Sequence, residues 1–306
     1  MRQLEGELDF TLVGAREGEA SQILRPHLSY FQDARTRFKA NKVAMASLFV
    51  LLAFALMTIA GPLLVPYNYQ DGDLLQANKG PDLQHWFGTD ELGRDLWARI
   101  WIGGRVSMAI GVLAAVLQGV VGIIMGSVSG FVGGKTDLVI MKVVDFLMAF
   151  PYLVWVTLLM LVTGSGLVPM ILALTLTGWL TMARIVRGQI LTLKNEDYVV
   201  AAQSLGALSR RIILKHMIPN TMGVIIVTMT FAIPAAIFSE AFLSFIGIGM
   251  KAPMTSWGLL VSMGMKQLYN YPLRLLIPCI CISLTMLSLQ IIGDGLRDAL
   301  DPKLRR

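Results

Sequence analysis

Charged side chains are scarce in this sequence. Of its 306 residues only 15% are Asp, Glu, Lys or Arg, whereas 55% are hydrophobic and the mean hydropathy is +0.64. Soluble chains average about a quarter charged residues, so the deficit excludes a surface that meets only water, and the length counts membrane helices rather than soluble domains. Cysteine is nearly missing too. Cys279 and Cys281 lie two apart in one apolar helical stretch, where their side chains diverge and cannot bridge; this excludes a disulfide scaffold and leaves both as packing residues. His27, His85 and His216 stand at no metal-ligand spacing with other His, Cys or carboxylates, and no H-E-x-x-H or G-x-S-x-G pattern occurs. Catalysis therefore has no visible seat, and no metal or cofactor is expected on the chain itself. A secretory signal is also missing: the first apolar run begins after about forty residues and is too long for a signal h-region.

The charge that is present sits beside the apolar runs. A net charge of +6 would suit nucleic acid, but Arg35, Arg37, Lys39 and Lys42 precede the first run, and Arg184, Arg187, Lys194, Arg210, Arg211 and Lys215 crowd one later connection. That is the positive-inside distribution, which points to membrane lipid and not to nucleic acid. Residues 1–42 read as a cytoplasmic arm with an amphipathic stretch, Leu28 to Phe38, on the membrane surface. Spans of about 20 apolar residues are then expected at 43–65, 105–130, 138–162, 167–184, 217–246 and 273–292. The acidic loop 66–104 is placed outside, the connection 185–216 inside, and the tail 296–306 inside, with the core occupying 105–295. The fold class is all-α integral membrane with six transmembrane helices and both termini cytoplasmic, and Pro151, Pro169 and Pro234 predict kinks.

Several patterns bear on chemistry. Gly111, Ala115 and Gly119, then Gly122, Gly126 and Gly130, repeat small residues every fourth position, a face that lets another helix approach closely; packing within the chain is favoured over a subunit interface. Ser129 to Thr136 nearly spells a phosphate-binding loop, but its first glycine is replaced by Ser129 and no soluble α/β domain follows, so it reads as a turn between spans. Glu240 stands in an apolar stretch, where a carboxylate must face protein or water; a hydrogen-bonding role near the outer end of its span and contact with a solute path are both open. Lys142 and Asp145, three apart, are expected to pair.

The most informative segment is 195–220. Asn195 is placed to cap a helix whose first turn holds Glu196 and Asp197 and which stops at Gly206, a residue that tolerates the left-handed conformation. A second amphipathic helix with Arg210, Arg211 and Lys215 is expected to end at Pro219. The pair would project inward, with exposed Ala201 and Ala202 free to sink into a groove on another protein; a simple surface-lying loop is the other reading.

Val200-Ala201-Ala202, Gly206 and Ile218-Pro219 resemble the E-A-A inner loop of permease subunits of ATP-binding-cassette (ABC) importers, with Val200 where many members carry glutamate. The resemblance covers nearly the whole chain and is to the peptide-importing branch, through His85-Trp-Phe-Gly-Thr-Asp-Glu-Leu-Gly-Arg-Asp95, Val144-Asp145 to Phe150-Pro151, Ser239-Glu240 to Gly249, and Gly293 to Pro302. It is similar above all to the C-type permeases of oligopeptide transporters, with dipeptide and nickel permeases as near relatives. The resemblance implies a type I ABC importer permease architecture in a bacterial cell membrane, without catalysis of its own. It implies a second homologous permease, two cytoplasmic ATP-binding subunits carrying ATP and Mg, and an extracytoplasmic substrate-binding protein. It implies coupling to the ATPases through Tyr198, Ala201, Ala202, Gln203, Ser204, Leu205, Gly206, Arg210 and Arg211, with Glu240 and Asp145 as pathway or interface residues. A stand-alone secondary transporter is the rival reading; it would show internal repeats and ionisable midplane residues, and only Glu240 is a deep charge.

Overall fold

The computed structural model describes residues 30–301, which are mostly helical and contain no strand. Helix α1 (Tyr30–Ala40) meets α2 (Lys42–Ala60) at Asn41, whose side chain accepts the backbone N–H groups of Val43 and Ala44 and so starts α2. The buried side of α1 meets protein rather than lying on a membrane surface alone: Ala34 and Phe38 pack on Ala299 and Leu300. Leu28 and the basic tail Lys303, Arg305 and Arg306 fall outside the described residues.

Helix α3 (Leu96–Val132) begins nine residues before the expected 105, because Asp95 caps it through the Ala98 N–H and Arg99 is absorbed by a buried ion pair. Its 37 residues extend about 55 Å, well beyond the roughly 30 Å of a hydrocarbon core. The small residues of α3 serve packing within the chain. Gly111 and Gly119 admit Ile237 and Met229, while Gly122, Gly126 and Gly130 admit the backbone and side chains of 179–190.

The third expected span, 138–162, is two helices, α4 (Gly134–Ala149) and α5 (Tyr152–Thr163), meeting at 89°. Pro151 lacks an N–H and holds Phe150 extended (φ −101°, ψ 145°), which breaks the helix outright rather than kinking it. Helix α6 (Leu167–Leu193) continues nine residues past the expected 184, and Lys194 at its end donates to the Phe131 carbonyl near the end of α3. Since α3 and α6 finish side by side, the bent pair α4–α5 carries the chain from that end to the other. After α6 come α7 (Asp197–Ser204), the short α8 (Ser209–Ile212), one π turn (Ile213–Met217), α9 (Ile218–Phe245), α10 (Trp257–Lys266) and α11 (Leu273–Leu300). Among the described residues five helical segments are long and apolar enough to cross a membrane, and the bent pair counts as a sixth when taken as one span. Helix α3 lies at the centre, between α6 and α9, and the core residues Ile110, Ala114, Met170, Leu174 and Leu243 sit where these helices meet.

Candidate functional site

The segment α7–α8 forms an elbow at one end of the bundle. Glu196, not Asn195, occupies the cap position of α7, and no side chain caps the helix; the chain turns one residue later than the cap residue type suggests. Val199 is fully buried and anchors α7 in a cluster with Val186, Ile190, Ile212 and Met217. Gly206 has φ +77°, with its N–H on the Gln203 carbonyl and the Ala207 N–H on the Ala202 carbonyl. This is the Schellman arrangement, which requires a left-handed residue at that position.

The second arm does not end at Pro219. The π turn widens the helix where the proline ring would strike the carbonyl four residues earlier, and residues 209–245 form one continuous helical segment. Asn220 donates to the Tyr198 hydroxyl at 2.9 Å, tying the elbow to the start of α9. Gln203, Ser204, Arg210 and Arg211 are exposed, as is Ala201, but Ala202 is half-buried against the Val199 cluster. The free surface is instead apolar at the tip, where Leu205 and Leu208 are 88% and 78% exposed. Sequence reasoning singled out the alanines and did not find Leu208; the available signal was a pair of leucines flanking Gly206-Ala207 in a polar stretch.

Glu240 is fully buried within the chain. Its carboxylate accepts the hydroxyls of Ser107 (2.7 Å) and Ser244 (2.8 Å), which in turn accept the backbone N–H groups of Trp257 and Met250. Hydroxyls thus replace water around the carboxyl group, which offsets the cost of burying it at membrane depth. Ser107 lies 133 positions away, beyond any sequence spacing, whereas Ser244 follows Glu240 by four residues on the same helix.

Asp145 pairs with Arg184 on α6 rather than with Lys142 on its own helix, and both side chains of that pair are open. A second tie, Asp137 to Arg187 with the Ser129 hydroxyl also on Asp137, fixes the start of α4 to α6. The segment 129–136 is therefore a helix end, a turn at Gly133 and a helix start, not a phosphate cradle.

At the other end of the bundle, loop 66–95 is pinned by buried charge. Asp90 accepts from Arg94 (2.8 Å) and faces Arg99 at 3.2 Å, His85 sits between Asp95 and Gln76, and Arg274 of α11 donates to Asn78 and the Thr89 carbonyl. The exposed Asp82 carboxylate accepts the N–H groups of His85 and Gln84, which hold it below the usual carboxylate range. No group of three or more His, Cys, Asp or Glu among the described residues is placed to hold a metal ion.

Residues 118–306 match the family described as the binding-protein-dependent transport system inner membrane component, and residues 29–81 match the N-terminal TM domain of oligopeptide transport permease C. The chain belongs to this family of inner-membrane transport permeases and is a multi-pass membrane protein. Among its relatives, it is 50% identical over 297 residues to the oligopeptide transport system permease protein OppC of Bacillus subtilis, covering 97% of both chains. It is 49% identical to the dipeptide transport system permease protein DppC of the same organism, over 97% of this chain and 93% of that one. With OppC of Escherichia coli K12 it shares 44% identity over 90% of this chain and 92% of the other. A chain of the inward-facing MetNI methionine ABC transporter aligns at a TM-score of 0.54 and 16% identity, over 66% of this chain and 97% of that one. That likeness shows the fold, that of an ABC importer permease.

Proposed function

We propose that the chain is one half of the transmembrane path of an ATP-driven peptide importer, serving oligopeptides, and that the elbow is its point of attachment to a cytoplasmic motor. The carrying observation is the tip of that elbow: Leu205 and Leu208 stand exposed on a turn locked by Gly206, on an arm continuous with α9. Burying two leucines in a partner's groove is worth about 1.5–3 kcal/mol each, and the basic residues Arg210, Arg211 and Lys215 put this end inside by the charge rule. The packing of α1 on the end of α11, near the elbow end of α9, supports both termini lying on that same side. The oligopeptide and dipeptide roles named for the relatives support peptides as cargo, and the near-equal identity to both keeps dipeptides as a second reading.

The partners of this reading are a second homologous permease, two ATP-binding subunits that hold ATP and Mg and perform the hydrolysis, and an extracytoplasmic substrate-binding protein. ATP closes the motor, the elbow follows, and α9 tilts with it; the loaded receptor favours the outward-open state. Each ligand shifts the equilibrium only by its differential affinity for the two states. Asp145 and Arg184, an open ion pair beside exposed Phe146, belong to the path or the permease interface rather than to lipid.

The test is uptake of labelled peptides of graded length by the reconstituted complex. Gly206→Pro, which cannot adopt positive φ and loses the N–H to Gln203, should abolish uptake while the chain stays inserted. A bulky residue at Ala202 should do the same by lifting α7 off its cluster. Normal uptake together with normal ATPase docking in both variants would defeat the reading, as would ATP hydrolysis by the isolated chain.

A further inference from the structure

A cavity of about 310 Å³ opens between α3, α6 and α9. Counted from the elbow end, Gln118 is about 14 residues up α3, Gly178 about 15 up α6 and Thr228 about 10 up α9. At 1.5 Å per residue these heights are about 15–22 Å, the middle of a hydrocarbon core. The wall is otherwise apolar or small, with Ala115, Ala232, Ala235 and Phe231. A second cavity shares Thr228 and Phe231 with the first and reaches Arg297 and Asp301.

Two polar groups at the first cavity, Gln118 and Thr181, keep bonding capacity. Gln118 is 8% exposed and uses its Nε2 on the Leu174 carbonyl, which leaves Oε1 as an acceptor at the cavity. Room for that amide is made by Gly178, where a Cβ would collide with it. Thr228 returns its hydroxyl to the Val224 carbonyl. Exposed Thr181 makes no such bond among the described residues, so its hydroxyl is left for whatever fills the cavity. A lipid chain would satisfy neither group, and an unsatisfied polar group in hydrocarbon is costly.

We infer that this cavity is a subsite for the main chain of the passing solute, with Thr181 and the Gln118 carbonyl oxygen bonding its amide groups. The inference rests on the reading of the chain as a peptide permease. A donor and an acceptor without full charge suit a peptide unit, whose N–H and C=O are the same in every sequence. The alanines leave the solute's side chains unread, and binding stays weak enough for release, as conduction requires.

The test uses the full complex, with Cys279→Ala and Cys281→Ala in this chain. Thr181→Cys should react with a membrane-impermeant maleimide in the nucleotide-free complex, whereas Leu172→Cys, on the opposite face of α6 and 48% exposed, should not. Saturating peptide and receptor should slow labelling at position 181 about fivefold. Thr181→Val, nearly isosteric, should lower uptake about three- to tenfold, the loss of one hydrogen bond, with receptor-stimulated ATP hydrolysis kept. An unreactive Thr181→Cys, or labelling without protection by peptide and wild-type uptake by Thr181→Val, overturns the subsite alone. A wild-type complex that imports no peptide of any length removes the functional reading and the subsite with it.

Discussion

At the loop end of the bundle charged side chains are sealed from water, whereas at the elbow end they are half-buried, as Asp137 and Arg187, or open, as Arg210 and Arg211. Asp90 and Arg99 are 4% and 1% exposed, and Arg274 bonds groups almost two hundred residues earlier in the chain. The elbow is held by the buried Val199 and Ile212, by one hydrogen bond from Asn220 and by a glycine turn, and Leu205 and Leu208 at its tip are largely exposed. A network of buried ions fixes the loop end in one arrangement, since each partner is needed to offset the desolvation of the others. The elbow keeps an internally rigid shape but few ties to the body, which is what a detachable contact surface needs.

Substitutions can break that contrast, and the largest loss of stability belongs to the sealed end. Arg99→Ala leaves Asp90 short of a cation in a buried site and should cost about 3–5 kcal/mol, read as early heat-induced aggregation in detergent. Glu240→Leu strands the hydroxyls of Ser107 and Ser244 and should cost about 2–3 kcal/mol, with Glu240→Gln milder in the same assay. Gly206→Ala should cost about 1 kcal/mol, the penalty for a side chain in the left-handed region, while lowering uptake severalfold. Leu205→Asp should leave stability nearly unchanged and still uncouple ATP hydrolysis from uptake, since its side chain is 88% exposed. Smallest of all, Asp145→Asn should change stability by less than about 0.5 kcal/mol, as for other open ion pairs. A stability loss at Asp145 as large as that at Arg99 would erase the distinction between the two ends.

The apolar runs made the membrane class, the number of crossings and the glycine turn at 206 legible in the sequence, because each is set by residues within one window. What failed was set across windows. Arg184 and Arg187 looked like the end of a span, yet α6 runs on because Asp145 and Asp137 of α4 neutralise them. The early start of α3 was hidden by Arg99, whose counter-ion Asp90 lies in the preceding loop. Pro151 announced a disturbance but not a right angle, since a proline constrains only its own φ and its predecessor's backbone. In the candidate site, Gly206 and the basic arm were found, whereas Leu208 and the serines around Glu240 were not. Leucine in a polar loop carries no period, and a hydroxyl on another helix, as Ser107, carries no spacing, whereas Ser244 stands one helical turn after Glu240 on α9.

The continuous segment 209–245 is a stick about 55 Å long. Leu208 stands at its free tip and the knot of Glu240, Ser107 and Ser244 grips its foot. Swinging such a stick about its foot by about 10° carries the tip through about 10 Å, given that length, while Ser107 hardly shifts. Like an oar in its rowlock, such a segment would have its long travel at the blade and its small rotation at the pivot.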